Sequence, residues 1–202
     1  MLEYKIMTKD GKFQLEVCKD ENPENPRDWD NLGTMVCIHK RYDIPCEITI
    51  DFSLFDCWEA IQAYLEEEHD ACIVLPIYMI DHGFACIATT PFSNPFDSGQ
   101  IGFIFVSKKT LDKEYPDLFN LEASTKAKAC MVSEVETYND YLINNIWQYE
   151  IRQFDKCEYC GTVLEEVIES SNGYYGDEGI KDMISDISNE ELKEELKRRS
   201  IR

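Results

Sequence analysis

Cys157-Glu158-Tyr159-Cys160, with Gly161 directly behind it, carries the spacing of half a zinc site and of a redox dithiol. Structural zinc needs four ligands, and neither Cys nor His follows Cys160. An earlier pair would have to come from Cys37 with His39, or from Cys130. A redox Cys-x-x-Cys normally opens a helix behind a strand, whereas this pair falls in a hairpin turn. The spacing is therefore read as that of a turn, and no metal or cofactor is assigned. Histidine, the usual acid–base residue near neutral pH, occurs three times. His39 sits in an apolar strand and reads as a core or interface residue. His69 ends an acidic helix, where it complements the dipole. His82 lies beside Asp81 in a tight turn. A Cys–His nucleophile, Cys86 with His82, needs an exposed thiol, and Cys86 reads as buried. No catalytic residue is assigned, and the chain is not expected to be an enzyme.

Two connecting segments stand out. Thr90-Pro91-Phe92-Ser93-Asn94-Pro95-Phe96-Asp97-Ser98-Gly99-Gln100 is a long strand connection, of the kind that often carries function. The structural reading is preferred here: the prolines stiffen the loop, and Phe92 and Phe96 pin it to the core. A phosphate cradle would need a Gly-rich turn leading into a helix, and a strand follows instead. Asn172-Gly173-Tyr174-Tyr175-Gly176-Asp177 reads as a turn with aromatics among carboxylates. Glu165, Glu166, Glu169, Tyr174, Tyr175, Asp177 and Glu178 together form the candidate partner-binding set. Carboxylates suit an Arg-rich surface, and tyrosine supplies contact area at low entropic cost.

Behind these residues stands a chain that pairs strands mainly with strands. Glu3 to Met7 and Lys12 to Lys19 alternate around Asp10-Gly11, a hairpin signal. Gly33 to Lys40 and Glu47 to Phe52 read as strands. Asp56 with Glu59 three residues on forms a capping box, and Trp58, Ile61, Tyr64 and Leu65 share one helical face. Ala71 to Ile80, Phe84 to Thr90 and Gln100 to Ser107 read as an antiparallel meander. Leu121 to Asn145 is the longest helix, with Ala127, Met131, Val135, Tyr138 and Leu142 at helical spacing. Ile146 to Phe154 and Thr162 to Glu169 form another strand pair. Short helices over Glu178 to Ile187 and Asn189 to Arg199 end the chain. The fold class is α+β, mainly antiparallel sheet with one long helix and short C-terminal helices. With no repeat and no linker in sight, residues 1–202 are expected to form a single domain.

The 202 residues hold 40 acidic against 20 basic side chains, a net charge of −20. Such a surface repels nucleic acid and anionic lipid and attracts basic partners through a long-range, salt-sensitive field. Between Cys157 and Glu195 stand twelve Asp or Glu against two Lys, half of the net charge of the chain. The nine cysteines are an odd number. Cys18, Cys37, Cys72 and Cys86 lie in apolar segments, so buried free thiols in a reducing compartment are expected. Ala71 to Ile80, interrupted by Pro76, is too short an apolar run to span a bilayer. Met1-Leu2-Glu3-Tyr4-Lys5 lacks the apolar core of a signal peptide. A cytoplasmic protein is expected.

Three segments carry a resemblance. They are Asn25-Pro26-Arg27-Asp28-Trp29-Asp30-Asn31-Leu32-Gly33-Thr34-Met35, then Leu75 to Gly83 with Thr90-Pro91-Phe92 and Asp97-Ser98-Gly99-Gln100, and Glu134 to Tyr138 with Gly173-Tyr174-Tyr175-Gly176. From about Asn25 to Asp177 the chain resembles an uncharacterised family of small acidic proteins encoded by phages and mobile elements of low-GC bacteria. The resemblance implies genomic context, since accessory genes of such elements often counter host defence. The first expectation is therefore an acidic inhibitor of a basic nucleic-acid-binding host protein, such as a CRISPR effector or restriction enzyme. It would act by nucleic-acid mimicry or steric block. The alternatives are an accessory protein that homo-oligomerises through a strand edge, and a ligand- or metal-binding protein built on the Asp81–His82 turn and the Thr90–Gln100 loop.

Overall fold

A computed structural model describes residues 2–81, 83–94, 96–117 and 120–200. The expected α+β class is observed: among the described residues, five helices accompany two four-stranded antiparallel sheets. The contacts gather into two compact units. Unit 1 is formed by Met1–Glu24 and Asn144–Arg202, and unit 2 by the intervening Asn25–Ile143. The division is hard to read in sequence because its boundaries carry no Gly- or Ser-rich linker; the chain simply leaves one sheet and later returns to it. Among the described residues, no helix is long and apolar enough to cross a membrane.

Unit 2 contains β3 (Thr34–Cys37), α1 (Trp58–Glu68), β4 (Ala71–Asp81), β5 (Ala85–Ala88), β6 (Ser98–Ser107), α2 (Lys108–Glu114) and α3 (Asn120–Leu142). Unit 1 supplies the remaining strands and helices, described below. The order of the unit 2 sheet is β3-β6-β4-β5. A simple meander would have put β5 beside β6. Instead β4 is central and pairs with both, because the long connection after β5 carries the chain back across to the other side of β4. Ile101 to Val106 of β6 are buried in succession, since both faces of the sheet are covered. Ile104 and Val106 meet α3 through Ala127, Met131 and Val135, while Phe103 and Phe105 face Ile61 and Leu65 of α1. Tyr138 is buried as its spacing requires, and Leu142 is partly buried.

A buried ion cluster ties the start of this unit to α3. Asn25 caps a short 3-10 turn, Pro26–Asp28, which turns Arg27 inward. The Arg27 side chain is only 4% exposed. Its Nε donates to Glu47 Oε1 at 2.7 Å, and Nη2 donates to Glu47 Oε2 at 3.1 Å and to Gly33 O at 2.6 Å. Nη1 reaches Glu134 Oε2 on α3 at 3.3 Å. Burial opposes the charge on Arg27, but Glu47 and Glu134 more than restore it, so the guanidinium is held more firmly protonated than usual.

Several local expectations are corrected. Glu47 to Phe52 is not a strand; Cys46 makes an isolated bridge to Val36, and Glu47 turns its carboxylate to Arg27 and to Met35 N. Cys57, not Asp56, is the N-cap of α1, so no capping box forms. Residues Lys108 to Glu114 add a helix, capped by Ser107, that the pattern did not signal. Phe96 does not pin its loop; it is 95% exposed, and Asn94 holds the loop by bonds to Asp97, Phe96 N and Ser98. Pro95 lies outside the described residues. The nine cysteines are free, with Cys37 buried but Cys72 exposed and Cys18 and Cys86 half-buried.

Unit 1 orders its sheet β1-β2-β7-β8, built from β1 (Leu2–Met7), β2 (Phe13–Lys19), β7 (Ile146–Lys156) and β8 (Val163–Tyr175). Helices α4 (Gly176–Asp186) and α5 (Glu190–Ser200) cover one face. There Leu15, Ile151, Met183, Ile187, Leu192 and Leu196 make the core. The other face is polar and holds an open groove of about 380 Å³ beside Glu16, Cys18, Gln148, Glu150 and Ser170.

Arg27→Met is expected to destabilise the protein by about 3–5 kcal/mol, because it leaves two partly buried carboxylates facing each other. Arg27→Lys should recover only part of this, since an ammonium cannot serve Glu47, Glu134 and Gly33 in one plane. Urea unfolding midpoints measure both. A second comparison tests the strand packing. A Cβ on Gly102 would lie 2.1 Å from Val36 O and 2.7 Å from Cys37 Cα, whereas one on Gly99 meets nothing within 4 Å. Gly102→Ala should therefore cost roughly 1–3 kcal/mol or more, and Gly99→Ala should stay within about 0.5 kcal/mol.

Candidate partner-binding surface

The expected partner-binding residues lie along β8 and the start of α4, but they do not form one exposed set. Glu165 and Glu166 are exposed on the outer half of β8. Glu165 accepts a close bond from Arg152 Nη1 of β7, so its charge is matched. Glu169 is turned inward: its carboxylate accepts from Tyr149 Oη at 2.7 Å, from Ser188 N at 3.2 Å and from Ser188 Oγ. Asp177 and Glu178 are exposed in the first turn of α4, where carboxylates complement the dipole. Glu178 pairs with Lys181 at 2.5 Å.

The tyrosines are placed differently from expectation. Asn172 to Tyr175 is not a turn but the end of β8, with Gly173 taking φ +76° at a bulge opposite Trp147 and Tyr149. Alternation along a strand then sends Tyr174 inward. It is 8% exposed, part of the unit 1 core, and its hydroxyl lies 2.9 Å from both Ser171 Oγ and Asp186 Oδ2. Tyr174 is therefore a packing residue and cannot anchor a partner. Tyr175 is half-buried, and its hydroxyl donates to Glu24 O at 2.5 Å.

What the structure does expose is the outer half of β8. The strand ends the sheet order, so one of its edges has no neighbouring strand in that sheet. A second bulge, between the pairs Ile151↔Glu169 and Arg152↔Val167, leaves Ile168 as an extra residue. From there to the tip, residues 163–167 pair regularly with 152–156. Val163, Leu164, Val167 and Ile168 are 59%, 61%, 48% and 46% exposed. Four large apolar side chains on a free edge, interleaved with Glu165 and Glu166, make a surface suited to strand addition. The run Val-Leu-Glu-Glu-Val-Ile carried the signal. It puts apolar residues on both faces of a strand, which neither a half-buried strand nor a solvated one requires.

Three of the four carboxylates of α5 meet a cation of the same helix. Along α5, Glu190 pairs with Lys193, Glu194 with Lys197, and Glu195 with Arg198 and Arg199. These are surface pairs three and four residues apart, weak individually but enough to break up an array of free carboxylates.

The alternative site finds less support in geometry. His82 lies outside the described residues. Asp81 accepts from Tyr42 Oη at 3.0 Å and from Arg41, so its carboxylate already has two partners. His39 is half-buried beyond the end of β3, stacked on Tyr42 with centroids 5.1 Å apart, and is not a core histidine. Among the described residues, no three His, Cys, Asp or Glu side chains gather to hold a metal ion. Compared with known protein families, curated proteins and solved structures, the chain finds no match in any of the three.

Glu169→Ala is expected to destabilise the protein by about 1–3 kcal/mol at neutral pH, since the donors of Tyr149 and Ser188 lose their charged acceptor. Burial alone would raise the Glu169 carboxyl, but the bonds from Ser188 and Tyr149 outweigh it and the group is held below the usual range. A carboxyl lowered in the folded state contributes its full stability above the unfolded value, about 4.3. The contribution is lost as pH falls through the folded value. The gap between wild type and Glu169→Ala should therefore close between pH 7 and strongly acid solution, as read from urea midpoints across that range.

Proposed function

We propose that the protein is an acidic inhibitor encoded by a phage or mobile element. It acts in the cytoplasm of a bacterial host cell, by binding its target. Its partner is a basic, nucleic-acid-binding defence protein, of the kind that anti-CRISPR and antirestriction proteins block. The observation that carries this reading is the free outer edge of β8, residues 163–168, with four exposed apolar side chains around Glu165 and Glu166. The net charge of −20 supplies the attraction to a basic target and keeps nucleic acid and anionic membranes away. Because the carboxylates of α5 are internally paired, the mode favoured is steric block, with acidity steering the encounter and the β8 edge making the contact. A ladder of phosphate-like carboxylates is the less favoured mode.

The same edge also suits a second copy of the chain, so homo-oligomerisation is the second reading. Two chains of −20 repel each other, which weighs against it.

The test is capture from the lysate of a defence-bearing bacterial host at low salt, with elution in salt steps, followed by affinity measurement on the recovered partner. The expected partner is a nuclease or CRISPR effector that leaves at moderate salt. Leu164→Asp should weaken binding by roughly tenfold or more at every salt concentration. Glu166→Lys should weaken it several-fold at low salt and little at high salt. Equal affinity of all three proteins at all salt concentrations would sink the proposal. Recovery of the chain alone, sedimenting as an oligomer that Leu164→Asp dissociates, would establish the second reading in its place.

A further inference from the structure

The turn between β7 and β8 holds two thiols that docking at the β8 edge does not use. Cys157 N–H donates to Thr162 O at 2.8 Å, and Gly161 N–H donates to Cys157 O at 2.9 Å. Gly161 takes φ +72°, the left-handed conformation that lets the chain reverse here. The closed turn sets Cys157 and Cys160 three residues apart within a single reversal of the chain. Glu158 to Thr162 are all exposed, with Tyr159 at 99%. A dissolved molecule therefore reaches Cys160 directly.

Cys160 is also set apart chemically. Its sulfur lies 3.2 Å from Thr162 Oγ1. The Thr162 side chain, then the Thr162 backbone N–H, then Cys157 stabilise the thiolate and hold Cys160 at about 7, below the ordinary thiol range. Burial pushes Cys37, Cys46, Cys72, Cys86 and Cys130 the other way. The other charged groups about the tip are Asp155, Lys156 and Glu158, with Glu165 farther along β8. The Lys156 chain runs beside Gly161, its Cε 3.6 Å from where a Cβ would stand.

We propose that Cys157 and Cys160 form a thiol–disulfide exchange site at the tip of the hairpin, whose substrate is a low-molecular-weight disulfide. The Cys160 thiolate attacks one sulfur of the substrate; the substrate S–S bond breaks and one thiolate leaves. Cys157 then gives up its proton and attacks the Cys160 sulfur of the mixed disulfide. The Cys157–Cys160 bond forms and the second substrate thiolate leaves. The dithiol loses two electrons, the substrate disulfide gains them, and the two protons of the dithiol pass to the released thiols. A thiol that ionises near ambient pH is the best-placed attacker, because it combines a large thiolate fraction with good nucleophilicity.

The experiment incubates the full reduced chain with oxidised glutathione at pH 7, quenches by acid and alkylation, and maps every cysteine by mass spectrometry. Cys160 is expected to react roughly tenfold faster than Cys57, an exposed thiol elsewhere in the chain. The end product is the Cys157–Cys160 disulfide. Cys157→Ser should trap the mixed disulfide on Cys160, and Cys160→Ser should lower the rate at Cys157 by roughly tenfold. Thr162→Val, which removes only the hydroxyl, should slow Cys160 several-fold at pH 7 and less at pH 9. All three positions are exposed or half-exposed in a turn, so these variants fold. Three results overturn the proposal: Cys160 no faster than Cys57, a mixed disulfide that persists in the unaltered chain, or purified protein carrying stoichiometric zinc on these thiols. None of these depends on whether the β8 edge binds a partner.

Discussion

Arg27 lies buried between Glu47 and Glu134, and the architecture of unit 2 is organised by the need to satisfy those three charges. One guanidinium and two carboxylates leave a net negative cluster away from bulk water, an arrangement that is costly unless every lone pair finds a donor. The backbone supplies them. Leu32 N and Gly33 N donate to Glu134 at 2.6 and 3.0 Å, and Met35 N donates to Glu47 at 2.9 Å. The cluster thus fixes the path of the chain from the 3-10 turn into β3 and clamps that path to α3. Gly33 belongs to the same constraint: a Cβ there would lie 2.6 Å from Ile104 Cδ1. The backbone must come this close for its N–H and C=O to reach the ions.

Two of the three segments singled out in the sequence meet in this cluster, Asn25 to Met35 and the stretch beginning at Glu134. Polar residues that look functional in sequence are thereby given a structural task. Asn25 caps, Arg27 bridges, Asn31 holds Pro26 O and Trp29 O at 2.9 Å, and Glu134 gathers the turn. Glu47 is the member that no local pattern identifies. Its neighbours Ile48 and Ile50 suggest a strand, yet forming one would have turned its carboxylate away from the guanidinium. Satisfying a buried cation outweighed β propensity, which is a weak preference set by context.

Much of the element inventory was legible because it rests on periodicity. Asp10-Gly11 marks the first hairpin, and Ala127, Met131, Val135 and Tyr138 trace the buried face of α3. Less legible was whatever depends on pairing at a distance. The strand order β3-β6-β4-β5 follows from which side of β4 receives β6, and no local spacing encodes that choice. Tyr174 shows how one such error reaches the candidate site. Read as part of a turn, it is a free aromatic; read as the end of β8, alternation buries it on Met183 and Tyr149. Its neighbours Asn172 and Gly173 favour a turn by composition, but in a bulged strand the same residues supply the extra residue and the positive φ.

The β7–β8 hairpin stands outside this logic of burial. From Asp155 to Ile168 nearly every side chain is exposed, although the strand carries four large apolar residues. Natural sheets blunt such edges with bulges, charges or a covering segment. Here the bulges lie at the inner end of the exposed run, at Ile168, and beyond it at Asn172–Gly173, and the pairing between Val163 and Val167 is regular. Glu165 and Glu166 are the remaining guard, and Glu165 is already drawn to Arg152. On the proposed reading, an edge guarded so lightly on a chain of such high negative charge would discriminate by electrostatics, repelling acidic neighbours and admitting a basic surface. The carboxylates that oppose self-pairing would then be the ones that select the partner, and the apolar side chains between them would supply the contact once the charges have met.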